Sequence, residues 1–417
     1  MIEGSELGGV CLNAGCIPSK SLLTVGYRFR NLLNEEVGIS TSNIDVNVSK
    51  AQAWKMNNVT FLREGIEKLI RKNKITLIKG TAFIENSFTL TVTLVDVSIN
   101  THRYQHLILA MGGIARPPQN VAESSRILKS TEVLALQLEA LPSKIAVISC
   151  DFIGVQVATA FQNLGVAVTL FMNDFAIDLS PDIKELLIQQ LRDRGVQVEN
   201  GGEPHSVVEK KSAMVIDYST KKGEDAQIDV DYVIYSNGRC PNIKTCGIEN
   251  INIDLTEEGY IKVDEQGRTS EKHIFAIGDL VPGEALAQKA SYEGKIAAEA
   301  INGGSAVVDY YAMPTIMYAN PEVARVGLSV KEARIQGYQL KIIDYKRPIE
   351  ESVELIRIIS RASDELILGV EMVGEQACEW CGQMTLAVEG GLHVEMLTMN
   401  LLMKNFFQTD MNNSKIK

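Results

Sequence analysis

Two periodicities organise the hydrophobic positions of this chain. From 17 to 34, IPSKSLLTVGYRFRNLLN sets its apolar residues on one side of a helix, and Pro18 falls in the first turn, where no intrahelical N–H is needed. Residues 48–74 carry charge on one face and close on RKNK, which predicts a longer helix. Strand-like runs follow: ITLIKGTAFIE at 75–85, FTLTVTLVDV at 88–97 and YQHLILAMGG at 104–113. ARPP at 115–118 breaks the pattern and predicts a domain edge. Beyond it lies a βαβ unit: KIAVIS at 144–149, a helix from Gly154 to about Leu164, and VAVTLFM at 166–172. Residues 226–235 predict another strand, closed by NGRCPN at 237–242. HIFAIGDL at 273–280 and LAQKASYEGKIAAEAINGG at 286–304 predict a strand, a turn and a helix. From Asp309 the texture changes to short strands and two or three helices, one with a capping box at Ser329 and Glu332 and a terminating Gly337.

Strands alternating with helices over 417 residues predict an α/β chain of two to four domains. Apolar residues make up 45% and charged residues 22%, enough for real cores in a soluble protein. The net charge of −11 argues against nucleic acid, whose phosphates need a basic face. No apolar run approaches a membrane span, and the acidic, polar MIEGSELGG does not read as a signal peptide. Seven cysteines, an odd and modest number, fit a reducing cytoplasm better than a disulfide scaffold.

Two of those cysteines, Cys11 and Cys16, stand in GGVCLNAGCIPSK at 8–20. On a continuous helix they would lie roughly 7.5 Å apart along the axis, beyond the Cα spacing of about 6.8 Å that a disulfide tolerates. They can bridge only if the backbone bends, and Asn13, Ala14 and Gly15 offer the bend, Gly15 through access to positive φ. A thiol at a helix N-terminus is drawn toward thiolate, and Lys20, one turn after Cys16, adds positive charge. Redox chemistry is the reading these local features favour. Two small residues buried in a loop, or half of a zinc site completed by CEWC at 378–381, remain open.

The segment GGVCLNAGCIPSK resembles the redox-active segment of the flavin-dependent disulfide reductases, and its CIPSK ending is like that of the dihydrolipoamide dehydrogenases. KGTA near Gly80, LILAMGG at 107–113, NGRCPN at 237–242, HIFAIGD at 273–279, YYAMPTIMYANPEVARVGL at 310–328 and ILGVEMVG at 367–374 fall in that family's order. The resemblance implies two Rossmann-like nucleotide-binding domains and an α+β C-terminal dimerisation domain. It divides the chain into an FAD-binding domain at 1–118, an NAD-binding domain at 119–243, a central domain at 244–306 and the dimerisation domain at 307–417. It also implies FAD and NAD as cofactors, dihydrolipoamide, free or on a lipoyl domain, as substrate, a homodimer, and docking to a 2-oxoacid dehydrogenase complex. Cys11 would exchange with substrate sulfur and Cys16 would face the flavin. Glu3 would bind the adenosine ribose, Lys20 would lie close to the flavin ring, and Asp279 would hold the ribityl chain beside Gly278. Ala285, Leu286, Ala287 and Gln288 would open a helix aimed at the flavin, and Gly80, Gly112, Gly154 and Gly238 complete the expected cofactor contacts.

Four departures from the family pattern set further expectations. The family's first strand and G-x-G-x-x-G turn have no counterpart in this sequence, which opens near the end of the following strand, so weak FAD binding is expected. The second dinucleotide turn reads SCDFIG, with Ser149 and Asp151 at glycine positions and only Gly154 kept. A carboxylate about 4 Å from a phosphate costs on the order of 4 kcal/mol at an effective dielectric near 20, so weak NADH binding is expected. Met172 replaces the acidic ribose ligand at the next strand end, with Asp174 two residues on. Gln156 stands where the family has a glutamate facing Lys20, and Gln288 where it has a histidine. The terminal H-P-x-x-x-E of the family, which carries the base for the thiol, is replaced by LTMNLLMKNFFQTD, with Leu402 or Lys404 in the histidine's place; His393 comes too early. A non-catalytic dimerising paralogue and a mercuric-reductase relative are the alternative readings.

Overall fold

The computed structural model describes residues 1–33, 41–42, 44–118, 121, 124–135, 140–172, 178–211, 213–244, 246–349 and 352–398. The segment of the expected terminal base, including Leu402 and Lys404, lies outside them, as does Asp174.

Asn47 opens the Val48–Lys72 helix by accepting the Lys50 N–H at 2.9 Å, and Arg71 and Lys72 close it, matching the macrodipole. Strand Ile2–Glu3 pairs in parallel with Ile78–Asn86, which continues antiparallel into Thr89–Leu94 and Ile99–Arg103. The run at 104–113 yields only a short strand, Leu107–Leu109, parallel to Ile274–Ala276. Gly112, at φ +69°, then turns the chain into Gly113–Ala115, which pairs antiparallel with Arg239–Pro241.

A five-stranded sheet in the middle of the chain is wholly parallel. Its order is Gln197–Asn200, Ala167–Met172, Lys144–Ser149, Tyr232–Ser236, Ile127–Lys129. Its three central strands, buried on both faces, read as continuous apolar runs rather than alternating ones. They share a core with the Phe152–Asn163 and Pro181–Asp193 helices, in which Val147, Leu170 and Leu187 are fully covered. The predicted strand at 226–235 is two strands in two sheets. Asp225–Val230 belongs to a three-stranded antiparallel sheet with Glu203–Lys210 and Ala213–Ser219, and Tyr232–Ser236 belongs to the parallel sheet. Asp231 makes the break, since its Oδ2 accepts the Ser143 and Lys144 N–H groups at 2.7 and 3.0 Å.

The C-terminal part is α+β, as expected. One antiparallel sheet runs Thr315–Met317, Glu322–Gly327, Ile367–Gly374, Ser352–Arg361, Leu340–Ile349, and the Ala377–Glu389 helix packs on it. Ser329 and Glu332 form the predicted capping box, at 3.1 and 2.8 Å. Among the described residues no helix is long and apolar enough to cross a membrane.

Candidate functional site

The stretch around the cysteines folds as two helices, Gly9–Ala14 and Cys16–Leu33, separated by Gly15 alone. The bend sits where expected, with a different conformation: Gly15 has φ −135° and ψ −104° rather than positive φ. A Cβ there would lie 3.0 Å from the Val10 carbonyl oxygen, so glycine is needed for close approach of the two helices. The Cα atoms of Cys11 and Cys16 are thereby brought to 4.6 Å and their sulfurs are bonded. Asn13 fastens the first helix. Its amide donates to the carbonyls of Leu7 and Gly9 at 3.0 and 2.9 Å, and its Oδ1 accepts from Arg63 of the long helix at 2.6 Å.

One turn beyond Cys16, Lys20 reaches into the interior. Its Nζ donates to Gln156 Oε1 at 3.3 Å and lies 4.2 Å from the centre of the Tyr318 ring. Burial pushes its pKa down to about 8 against the opposing pull of Cys378. Cys378 is a free thiol, driven far above its usual range by burial and by Glu322, whose carboxylate accepts the Cys378 N–H at 3.0 Å. Burial raises the thiol of Cys381 as well, so half-buried Cys378 and buried Cys381 both favour the neutral thiol, and no group of three or more metal-ligating side chains is found among the described residues. The bond between Cys11 and Cys16 takes both of their sulfurs out of the zinc site considered above.

The second cluster of expected residues gathers around Gly278. Lys289 Nζ donates to the Gly278 carbonyl at 3.0 Å and pairs with Glu293 at 2.9 Å, and Glu293 accepts the Gly278 N–H at 2.6 Å. Asp279 pairs with Arg239 at 3.0 Å, and Arg239 also donates to the Gly113 carbonyl. The Ala287–Ile301 helix begins at Leu286 with no side-chain cap and no acidic residue in its first turn, leaving its first N–H groups available. Gln288 turns aside to donate to the Pro314 carbonyl at 3.0 Å. Open space flanks Gly112, at positive φ.

The remaining expected residues are held elsewhere. Glu3 accepts the Ser5 N–H at 3.0 Å. Gly80 is pressed against the Thr93 backbone of its own hairpin, where a Cβ would approach the carbonyl oxygen to 2.5 Å. Gly154 and Gly238 both give their N–H groups to the Asp151 carboxylate, at 3.0 and 2.9 Å. His393 is half-buried and bonds the Asp364 carbonyl at 2.7 Å. Arg239, Lys289, Glu293 and Tyr318 escaped the sequence reading. Only the i,i+4 spacing of Lys289 and Glu293 carried a local signal.

A bridged cysteine pair at a helix junction, set beside a parallel α/β sheet and an antiparallel α+β layer, defines a disulfide oxidoreductase of the nucleotide-binding kind. The chain belongs to the pyridine nucleotide-disulphide oxidoreductase family, whose sequence profile matches residues 1–294 and whose dimerisation-domain profile matches 313–407. Within it, the chain is 35% identical to a dihydrolipoyl dehydrogenase of Geobacillus stearothermophilus, over 96% of this chain and 87% of the relative. It is 34% identical to a dihydrolipoyl dehydrogenase of Bacillus subtilis with the same coverage, and 30% identical to that of Halobacterium salinarum over 95% and 85%.

Proposed function

We propose that Cys11 and Cys16 carry the exchange chemistry of a dihydrolipoyl dehydrogenase-like flavin disulfide oxidoreductase, acting on dihydrolipoamide. The observation that supports this most directly is the disulfide itself, held across Gly15 in a chain that matches such enzymes over nearly its whole length. A substrate thiolate attacks Cys11 Sγ, the S–S bond breaks, and Cys16 leaves as a thiolate. The second substrate sulfur, once deprotonated, attacks the mixed disulfide, closes the substrate disulfide and releases Cys11. Two electrons thus rest on the protein dithiol. Lys20, still mostly protonated at pH 7, lies one helical turn from Cys16 and favours its thiolate.

FAD and NAD are the cofactors of this family. The residues around Gly278 fit FAD: the uncapped helix N-terminus at Leu286 suits a negative group, and the open face of Gly112 allows close backbone approach. When bound, FAD supplies an acceptor for the electron pair. Gly112, Gly278, Asp279 and residues 285–288 would hold it, with Lys20 near its ring. The site of the second nucleotide does not fit in the same way, because Asp151 fills it.

The chain works as a homodimer through its dimerisation domain. We assign FAD binding to 1–118 with 244–306, NAD-domain architecture to 119–243 and dimerisation to 307–417, and we place the protein in the cytoplasm, docked to a 2-oxoacid dehydrogenase complex. Titration of denatured protein with a thiol reagent tests the central claim. Five thiols are expected before mild reduction of the native protein and seven after, the two new ones mapping to Cys11 and Cys16. No gain, or a gain at other positions, refutes it.

A further inference from the structure

The turn between Lys144–Ser149 and the Phe152–Asn163 helix is the place where a dinucleotide-binding domain receives pyrophosphate. There, glycines let the backbone approach the ligand, and the helix N-terminus donates its free N–H groups to it. In this chain those donors are already engaged. Asp151 Oδ1 accepts from the Ile153 N–H at 3.0 Å, the Gly154 N–H at 3.0 Å and the Ser236 hydroxyl at 2.6 Å. Asp151 Oδ2 accepts the Gly238 N–H at 2.9 Å. One carboxylate therefore takes four donors from three segments: the helix start, the end of Tyr232–Ser236 and the loop after it.

Ser149 locks the arrangement from below. Its hydroxyl donates to the Asp151 carbonyl at 2.8 Å and accepts the Asp151 N–H at 3.1 Å. The space beneath the helix start is full, since a Cβ at Gly154 would overlap the Ser149 side chain and come within 3.2 Å of Ser236 Cβ. At the end of the next strand, where a ribose diol would need an acceptor, Met172 is buried in the hydrophobic core. The contrast with the uncapped Ala287–Ile301 helix is internal to the molecule: one helix N-terminus is left open and the other is filled by a side chain.

We propose that the Asp151 carboxylate is a built-in substitute for pyrophosphate, which closes the second dinucleotide site of this chain to pyridine nucleotides. The charge and the shape act together. A nucleotide would have to expel a side chain holding four hydrogen bonds and then leave that anion beside its own phosphates. The inference concerns residues 144–238 alone and stands apart from the cysteine chemistry, which thiol titration reads independently.

Calorimetric titration of the full chain with NADH and with ADP-ribose tests it, alongside Ser149→Gly/Asp151→Gly. The double variant is expected to bind both ligands roughly tenfold or more tighter than the wild type. Equal affinities, whether tight or absent, overturn the proposal. A second measurement needs no variant: in wild-type protein labelled with 15N-glycine, saturating NADH is expected to leave the Gly154 and Gly238 amide resonances in place. Their displacement by the nucleotide overturns the proposal.

Discussion

Replacing Gln156 with glutamate should restore a full charge opposite Lys20 and move its titration by a large, calculable amount. Lys20 Nζ stands 3.3 Å from Gln156 Oε1, and Gln156 is only 3% exposed. Burial now holds the Lys20 pKa at about 8 instead of the ordinary 10.5. A carboxylate oxygen in place of the amide oxygen attracts the ammonium by about 5 kcal/mol at an effective dielectric of 20. At about 1.36 kcal/mol per pKa unit that is between roughly three and four units. Burying the new carboxylate opposes the gain; if half is lost, about 2 units remain and the lysine titrates near or above 10. The 13Cε resonance of Lys20, assigned by its loss in Lys20→Met, reports the midpoint. A midpoint that stays near 8 in Gln156→Glu refutes the reasoning. The linked stability has a definite sign. The wild-type lysine has a folded pKa below its unfolded one, so the unfolded chain binds more protons between pH 8 and 10.5 and stability rises with pH across that window. In Gln156→Glu this contribution to the rise disappears, leaving that of the similarly depressed Lys55.

Two further outcomes are expected. Lys289→Met leaves Glu293 unpaired in a region where both side chains are nearly covered, and should cost roughly 3–5 kcal/mol in a denaturant melt; a loss under about 1 kcal/mol contradicts the role given to this pair, and Glu293→Gln added to it should recover part of the loss. Reduction of Cys11–Cys16 by dihydrolipoamide, followed by the appearance of thiols, should be at least about a hundredfold slower at pH 7 than in the Geobacillus relative and should recover at pH 9. Only a few per cent of a free thiol is ionised at pH 7, and the stretch LTMNLLMKNFFQTD at 397–410 carries no histidine to help; a rate at pH 7 equal to the relative's excludes this account.

The cysteine junction was legible because its determinants are local: two sulfurs, a glycine and a proline within thirteen residues. The three central strands of the parallel sheet are legible through their apolar runs, whereas its edge strands, Gln197–Asn200 and Ile127–Lys129, are too short or too polar to announce themselves. The 226–235 strand was misread because both of its halves are strand-like, and the break depends on Asp231 finding the Ser143 and Lys144 amides, which lie 88 and 87 residues away. The helix predicted from Gly154 starts at Phe152, since the residue read as an intruder in a glycine turn is a good N-cap. Tyr318 and Cys378 come to Lys20 from the C-terminal layer, with Glu322 bound to Cys378 behind them, and no local pattern announces such a meeting.

The fastening of the short Gly9–Ala14 helix bears on what the protein does once reduced. Asn13 is bonded to Leu7, Gly9 and Arg63 through contacts that involve neither sulfur, and the close approach of the two helices at Gly15 does not run through the sulfurs either, so both are expected to outlast reduction. Each thiol then sees the other at a high effective concentration. A small thiol that captures one sulfur is displaced by the neighbour before a second can arrive. The centre consequently trades electrons in pairs and resists being trapped half-way by the thiols that surround it.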